Sequence, residues 1–364
     1  MKHRLLLSVI SFSLLFTSWS QVDDLTPEEQ AYRDSIKALN LENAAIANSQ
    51  TAYNEGIQFF KDQEYAKAVA SFKKSVSFDA NFTAAYYNQG VAENELSNYA
   101  DANKTLTTLI AKDPGYSKAY FQRGRALQGL NDYLNAEKDY EKSISLDPSN
   151  PKAYYNYGTL RFLQQDYKGA MSYFTKAIEL DKNFAYAYND RGSCHRMLGD
   201  YTKALVDYEE AARKNPNLAF VLNNIGTTKK KMKDYAGAMA GFNRAISVDA
   251  NFYMAFNNRG ATLMDQNKFA DAKKDFEKAL SIKPDYAPAL SNLSAIYFKE
   301  KNYDKALEYA EKAIKLDKNY ANAYVNSANA KEMLRNMEGA CEDWHKASEL
   351  GAQYGQNYYS ANCQ

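Results

Sequence analysis

The sequence predicts an all-α protein in which pairs of helices stack into a linear repeat array. Glycine recurs every 34 residues, at Gly56, Gly90, Gly124, Gly158, Gly192, Gly226 and Gly260. An alanine follows each glycine at a constant offset, and the alanine series continues in step to Ala306 and Ala340. The prolines within the array lie between predicted helices or in a first helical turn, where a missing N–H costs little. Such a period is typical of stacked repeats, which bury their apolar faces only against neighbours.

The first 20 residues have the features of a secretory signal peptide. A basic start is followed by an apolar stretch from Leu5 to Phe16 and by small residues before Gln21. The stretch is shorter than the roughly 20 residues that span a bilayer. We therefore expect cleavage after Ser20 and a periplasmic or secreted protein. Retention of the segment as an N-terminal anchor is the alternative.

Residues 21–48 are predicted to form a loosely packed leading helix joined to the array. Thr26 precedes Pro27 and is followed three residues later by Glu29, which is a helix-start pattern with acidic residues in the first turn. The segment is charged and then rich in alanine and asparagine, so a separate domain is not expected.

Nine repeats are predicted over residues 49–354, with the periodic glycine at position 8 of each repeat. Large apolar residues recur at helical spacing in two stretches per repeat, separated by a short polar turn. The small residue at position 8 is expected where two helix backbones approach closely, and a bulky residue at position 24 is expected to fill the space beside it. Position 24 holds Phe72, Leu106, Tyr140, Phe174, Tyr208, Phe242, Phe276, Ala310 and Trp344.

These repeats resemble the tetratricopeptide repeat family. The matching elements are the period, the small residue at position 8, alanine at 20 and 27, the aromatic residue at 24 and proline at 32. The usual tryptophan at position 4 is mostly tyrosine here, and repeats 8 and 9 carry Ser294 and Ala328 at position 8. The resemblance implies a right-handed superhelical solenoid whose first helices line a concave groove that binds protein or peptide.

The end of the chain, residues 355–364, is predicted to form a capping tail with a disulfide between Cys341 and Cys363. A helix that folds back on the second helix of repeat 9 brings the two sulfurs together, and an oxidising compartment permits the bond. Loop closure predicts about 3 kcal/mol of stabilisation. Two free thiols are the alternative. The stretch from Gly339 to Trp344, with Cys363, resembles the closing repeat of secreted bacterial repeat proteins, and Cys194 is expected in the core.

No catalytic, metal-binding or cofactor-binding pattern is found in the sequence. His195 and His345 lie more than four repeats apart. Cys194 is adjacent to His195, but neighbouring residues on a helix point about 100° apart and do not face each other. The glycines are periodic packing residues, and metal-ligand spacing is missing. We therefore expect a protein that is not an enzyme and needs no cofactor.

Amide side chains dominate position 6, which faces the groove by the geometry of the family. Position 6 holds Asn54, Asn88, Gln122, Asn156, Asp190, Asn224, Asn258, Asn292 and Asn326. An amide can both donate and accept a hydrogen bond, so this series suits an extended peptide held by its backbone. It is similar to the asparagine ladder in the repeat region of O-linked N-acetylglucosamine transferases. The alternative is that each amide satisfies a helix end or a neighbouring repeat.

Position 5 is aromatic in the first four repeats, at Tyr53, Tyr87, Phe121 and Tyr155, and then changes to asparagine in three repeats. Aromatic rings with a polar tip suit peptide side chains and sugar rings. Carbohydrate or cell-wall-glycan binding through these tyrosines is therefore the second functional hypothesis, and packing between repeats is its alternative. The charges nearly cancel, with 45 basic and 44 acidic residues, which argues against a nucleic-acid partner.

Overall fold

A computed structural model describes residues 26–363 and contains only α-helices as regular structure in that range, which confirms the all-α repeat array. The helices are α1 (Pro27–Lys61), α2 (Tyr65–Phe78), α3 (Thr83–Glu95), α4 (Tyr99–Lys112), α5 (Ser117–Gly129), α6 (Tyr133–Leu146), α7 (Pro151–Leu163), α8 (Tyr167–Leu180), α9 (Ala185–Met197), α10 (Tyr201–Lys214), α11 (Ala219–Lys231), α12 (Tyr235–Val248), α13 (Tyr253–Asp265), α14 (Phe269–Ile282), α15 (Ala287–Lys299), α16 (Tyr303–Leu316), α17 (Ala321–Met333), α18 (Met337–Glu349) and α19 (Gln353–Asn362).

The chain divides into two compact units, Met1–Asp113 and Pro114–Gln364. In the described part of the first unit, α1 and α2 form repeat 1, and α3 and α4 form repeat 2. The second unit contains seven further helix pairs, from α5 to α18, followed by α19. Within the second unit each helix packs on the next one, and first helices of adjacent repeats, such as α11 and α13, also touch. The core is therefore a series of local contacts.

The periodic glycines mark the closest approach of the two helices in a repeat, as predicted. A Cβ atom added to Gly158 would lie 2.7 Å from Cε1 of Phe174, and the same overlap recurs at the equivalent position in seven repeats. Repeat 8 has serine at this position, and a small residue, Ala310, replaces the ring opposite. The hydroxyl of Ser294 donates to the carbonyl of Ala306 at 2.6 Å. The larger residue at position 8 is thus accompanied by a smaller one at position 24.

The turn inside each repeat requires a left-handed backbone at position 15. Gly199 has this conformation in repeat 5, with φ of 82°. Non-glycine residues with φ between 58° and 64° occupy the same position elsewhere: Gln63, Ser97, Asn131, Gln165, Lys233, Asn267, Lys301 and Arg335. This conformation costs roughly 1–2 kcal/mol per non-glycine residue. The next residue is often Asp or Asn, and Asp166, for example, caps α8 by accepting from the N–H of Gly169 at 2.9 Å.

Buried ion pairs join the two helices of alternate repeats. Arg191 in α9 donates from Nε and one terminal nitrogen to the two carboxylate oxygens of Asp207 in α10, at 2.9 and 2.7 Å. The guanidinium also lies over the ring of Tyr188, 5.6 Å from its centroid. The hydrogen bond to Asp207 raises the pKa of Arg191. The equivalent pairs in repeats 3 and 7 are Arg123–Asp139 and Arg259–Asp275.

The repeats between these ion pairs use apolar or aromatic contacts at the same two positions. In repeat 4 the rings of Tyr157 and Tyr173 stack with centroids 4.1 Å apart. Repeat 6 has Ile225 and Gly241 at these positions. Charged and uncharged pairs therefore alternate along the second unit from repeat 3 to repeat 8.

The two ends of the described chain are closed in different ways. Thr26 and Glu29 form the expected capping box at the start of α1, with each side chain accepting from the backbone N–H of the other residue. Residues 27–48 of α1 carry almost entirely exposed side chains, and burial begins at Ser49. The predicted signal peptide lies outside the described residues. Within residues 26–363 no helix combines the length and the apolar character needed to cross a membrane.

At the C-terminal end, α19 packs on α18 and covers the buried Trp344. The structure joins Cys341 and Cys363 in a disulfide, with their Cα atoms 5.7 Å apart. Tyr358 lies against Trp344, with ring centroids 5.3 Å apart. The remaining cysteine, Cys194, is buried and free, as predicted. The last repeat, which has a neighbour on one side only, is thus closed by a covalently attached helix.

Candidate functional site

The position-6 side chains form hydrogen bonds with position 5 of the preceding repeat. Asn224 donates from Nδ2 to Oδ1 of Asn189 at 3.0 Å, and both residues lie in first helices. The same link between adjacent repeats recurs in Asn258–Asn223, Asn292–Asn257, Asn326–Ser291, Asp190–Tyr155 and, in the first unit, Asn88–Tyr53. The amide series therefore connects neighbouring repeats within each unit.

Repeat 4 shows that this link depends on the residue at position 5. The preceding position 5 is Phe121, which has no polar side-chain atom. Asn156 accordingly donates from Nδ2 to the carbonyl of Lys152 in its own helix, at 2.8 Å. Gln122 is buried and accepts from Arg125 at 3.1 Å. Asn54, in the first repeat, is exposed and accepts from Gln50.

The links between repeats use N–H groups of the position-6 amides but leave several of their carbonyl oxygens without a hydrogen bond. The Oδ1 atoms of Asn224, Asn292 and Asn326 accept no hydrogen bond from any residue between 26 and 363. A carbonyl oxygen of this kind can accept from a peptide N–H. Asn224 and Asn292 each donate one of the two N–H groups of Nδ2 to the neighbouring repeat, which leaves one N–H on each of these amides. The series can thus accept from the N–H groups of a ligand and has a smaller number of donors for its carbonyls.

The tyrosines at position 5 are packed between helices. The ring of Tyr155 lies 5.7 Å from Phe174 and 4.8 Å from Phe184, and its hydroxyl donates to Oδ2 of Asp190 at 2.7 Å. Burial raises the pKa of Tyr155. Tyr53 has equivalent ring neighbours in repeat 1, and Tyr87 is half-buried. Rings enclosed in this way have little face left for stacking on a sugar, so no observation supports glycan binding here.

A cavity of about 360 Å³ opens between α7 and α9 beside the amide series. Its walls are formed by Thr159, Phe162, Leu163, Phe174, Asp190, Ser193 and Arg196. Asp190 accepts from the Tyr155 hydroxyl and, at 2.8 Å, from Nδ2 of Asn189. Burial raises the pKa of Asp190 above its ordinary value, and the two hydrogen bonds oppose that shift. Arg196 donates from Nε to the hydroxyl of Tyr208 at 3.3 Å.

A second cavity of about 360 Å³ lies farther along the same unit, at the end of α11. Lys230, Lys231 and Lys233 contribute to its wall, together with Asn258 of the next repeat. Lys230 forms an ion pair with Asp265 at 3.2 Å. A run of lysines at a helix end predicts a solvated surface, and Lys231 and Lys233 are indeed exposed.

These features define the class of the protein as a helical-repeat scaffold with a polar first-helix surface. Five family models, each described as tetratricopeptide repeat, match residues 84–116, 121–185, 185–218, 221–252 and 252–319. The chain belongs to the tetratricopeptide repeat family. Members of this family are typically non-enzymatic scaffolds for protein–protein interaction, and the fold supports that role for this chain. No curated protein matches the sequence.

Several solved structures share the fold. The Cut9–Hcn1 hetero-tetramer of the APC/C is 16% identical with a TM-score of 0.57, and the match covers 85% of this chain but only 60% of that one. A tetratricopeptide repeat protein from Parabacteroides merdae is 19% identical over 68% of this chain and 99% of its own, with a TM-score of 0.57. PilF of Pseudomonas aeruginosa is 21% identical over 59% and 98%, with a TM-score of 0.51.

Proposed function

We propose that the protein binds an extended peptide segment of a partner protein along the first helices of its second unit. The open acceptors at Asn224, Asn292 and Asn326 are the observation that carries this proposal. Asn258, between the first two in the series, accepts from Asn257 at 3.4 Å. These oxygens are fixed because the amide nitrogens of the same side chains are bonded to the neighbouring repeat. A backbone held in this way would be recognised with little dependence on its sequence, since every non-proline residue offers an N–H.

The peptide carbonyls need more donors than the amide series offers, because Asn224 and Asn292 have each given one N–H to the neighbouring repeat. Arg196 is placed to provide them, since only its Nε has a partner among residues 26–363 and its side chain borders the cavity beside the amide series. Lys231 is exposed at the end of the neighbouring first helix, α11. The proposed site therefore combines neutral acceptors on the amide series with cationic donors beside it.

Asn292→Ala is expected to weaken peptide binding by roughly 2- to 10-fold, the effect of losing one hydrogen bond. It removes both the link to Asn257 and the open acceptor. Asn257→Ala removes the same link, together with the 3.4 Å hydrogen bond from Asn257 Nδ2 to Asn258 Oδ1, but leaves the Asn292 carbonyl in place, so it serves as the matched control. Peptides selected from a random display library against the full chain are the probes, and isothermal titration calorimetry is the measurement.

Equal affinities for the two variants would show that the Asn292 acceptor does not contact the peptide. A second test replaces single peptide N–H groups by ester oxygens, which removes a donor without changing the protein. At least one such replacement should weaken binding to the natural chain but not to the Asn292→Ala variant. Affinity that is unaffected by every replacement would contradict backbone recognition.

We further propose that the protein is periplasmic or secreted, with its disulfide formed there. When the chain is expressed with residues 1–20 in a Gram-negative bacterium, the product is expected to begin at Gln21. Alkylation after denaturation should then label one cysteine of the three, Cys194. Expression from residue 21 in the reducing cytoplasm should leave all three reactive. Three reactive thiols in both products, or an uncleaved leader, would contradict this proposal.

A further inference from the structure

Asp190 differs from the other position-6 residues because it brings a negative charge to the amide series. Its two oxygens receive one hydrogen bond each, from the Tyr155 hydroxyl and the Asn189 amide, and both donors are neutral. No Lys, Arg or His among residues 26–363 forms an ion pair with it. A partly buried carboxylate without a cation is costly, because neutral donors only partly replace the water it has lost.

The surroundings of this carboxylate have the shape and polarity of a side-chain pocket. The cavity of about 360 Å³ is lined by the apolar side chains of Phe162 and Leu163, with the fully buried Phe174 behind them, and by the polar side chains of Asp190 and Ser193. Leu163 is 55% exposed, so the apolar wall is open to solvent. A long side chain with apolar methylene groups and a terminal cation would cover the apolar wall and bring its charge to the carboxylate.

We propose that this cavity selects a lysine or arginine side chain of the bound peptide, with its cation paired to Asp190. This inference rests on the proposed function, and it adds a preference for one residue to a site that otherwise recognises only the peptide backbone. The pairing supplies the countercharge that the described part of the chain does not provide, through a charge-assisted hydrogen bond of the stronger kind.

Arg196 lines the same cavity, and its position is consistent with this occupant. Its Nε is held by the Tyr208 hydroxyl at 3.3 Å, and it forms no ion pair with Asp190. A peptide residue presents its backbone carbonyl several bonds away from the end of its side chain. The guanidinium of Arg196 would donate to that carbonyl while the carboxylate receives the cation. Asp190 and Arg196 would then each have a partner within the same residue of the ligand.

Asp190→Asn is a sharp test because asparagine is the usual residue at this position in other repeats. The Asn Oδ1 can still accept from the Tyr155 hydroxyl, so the inter-repeat link is retained and the variant is expected to fold. Asp200→Asn is the matched control. It makes the same change in charge within the same repeat, Asn remains a good cap for α10, and the side chain does not line the cavity.

The experiment selects peptides from a random display library against the full chain and against both variants. Lysine or arginine should be enriched at one peptide position with the natural chain and with Asp200→Asn, but not with Asp190→Asn. A selected peptide with lysine at that position should bind the natural chain roughly tenfold more tightly than its norleucine counterpart. The ratio should fall to about one for Asp190→Asn, with the norleucine affinity unchanged.

The possible failures are distinguishable. If peptides are enriched without a basic residue, or if Asp190→Asn keeps the preference for lysine over norleucine, the pocket is wrong while the peptide-binding function stands. If no peptide is enriched above an unrelated control protein, the proposed function fails and the pocket fails with it. Circular dichroism melting of the two variants confirms that the comparison is made between folded proteins.

Discussion

Replacing Arg191 by leucine is expected to lower the free energy of unfolding by about 3–5 kcal/mol. The cost arises because the Asp207 carboxylate stays buried without its partner. Asp207 is only 4% exposed and loses both hydrogen bonds from the guanidinium. The carboxylate then keeps only a distant contact with the His195 ring, whose Nε2 lies 3.9 Å away. Urea unfolding followed by circular dichroism gives the measurement.

A double variant separates the cost of the orphaned charge from the loss of packing. Arg191→Leu combined with Asp207→Ala removes both charges and makes this repeat similar to repeat 6, which has Ile225 and Gly241 at the same positions. It should be more stable than Arg191→Leu alone, because removing both partners avoids the buried unpaired carboxylate. Equal stability of the single and double variants would mean that Asp207 finds a substitute partner or water.

Phe174→Ala is expected to cost about 3–5 kcal/mol and to act locally. The ring is fully buried and packs with Ala170 and Cys194. In a linear array each repeat is stabilised by its own contacts and by its immediate neighbours, so the loss should be concentrated near the cavity left by the ring. Hydrogen exchange with mass spectrometry should show reduced protection in α7, α8 and α9 and little change in α16 to α18.

Two controls support the interpretation of this result. Leu134→Ala, at a side chain that is 65% exposed, should change stability by less than about 0.5 kcal/mol. Gly158→Ala should be destabilising in the natural chain, because the new methyl group meets the Phe174 ring, but tolerated when Phe174 is already alanine. A uniform loss of protection along the second unit would contradict the local picture.

The fold was predictable because its determinants are local and periodic. The contact between Gly158 and Phe174 lies within a single repeat, and the same pair of positions holds glycine opposite a bulky residue in repeats 1 to 7. Each repeat thus contains the same sequence pattern, which predicts two helices that cross at a short distance. The size compensation at Ser294 and Ala310 follows the same rule. Periodicity of this kind reports backbone architecture directly.

The candidate site was predictable in outline but not in chemistry. The amide series is evident from position 6 alone. Which acceptor each amide N–H contacts, however, depends on how the side chains of adjacent repeats are oriented. Phe121 at position 5 is the available signal, since a repeat without an acceptor there must leave Asn156 with another partner. The role proposed for Asp190 depends on the cavity beside it, which is formed by three helices and has no sequence signature. The Arg–Asp pairs recur in every second repeat from repeat 3 to repeat 7, but the many surface charges at other positions obscure that period.

The alternation of charged and uncharged repeats sets the number of repeats by which the array can be shortened or extended. Arg123, Arg191 and Arg259 follow one another at intervals of two repeats, so one charged and one uncharged repeat together form the repeating module from repeat 3 to repeat 8. Deleting or inserting a single repeat would place two repeats of the same kind side by side. Deleting or inserting two consecutive repeats would preserve every type of neighbour. A series of proteins made by adding or removing two repeats at a time would then differ in the length of the array but keep the same contacts between adjacent repeats.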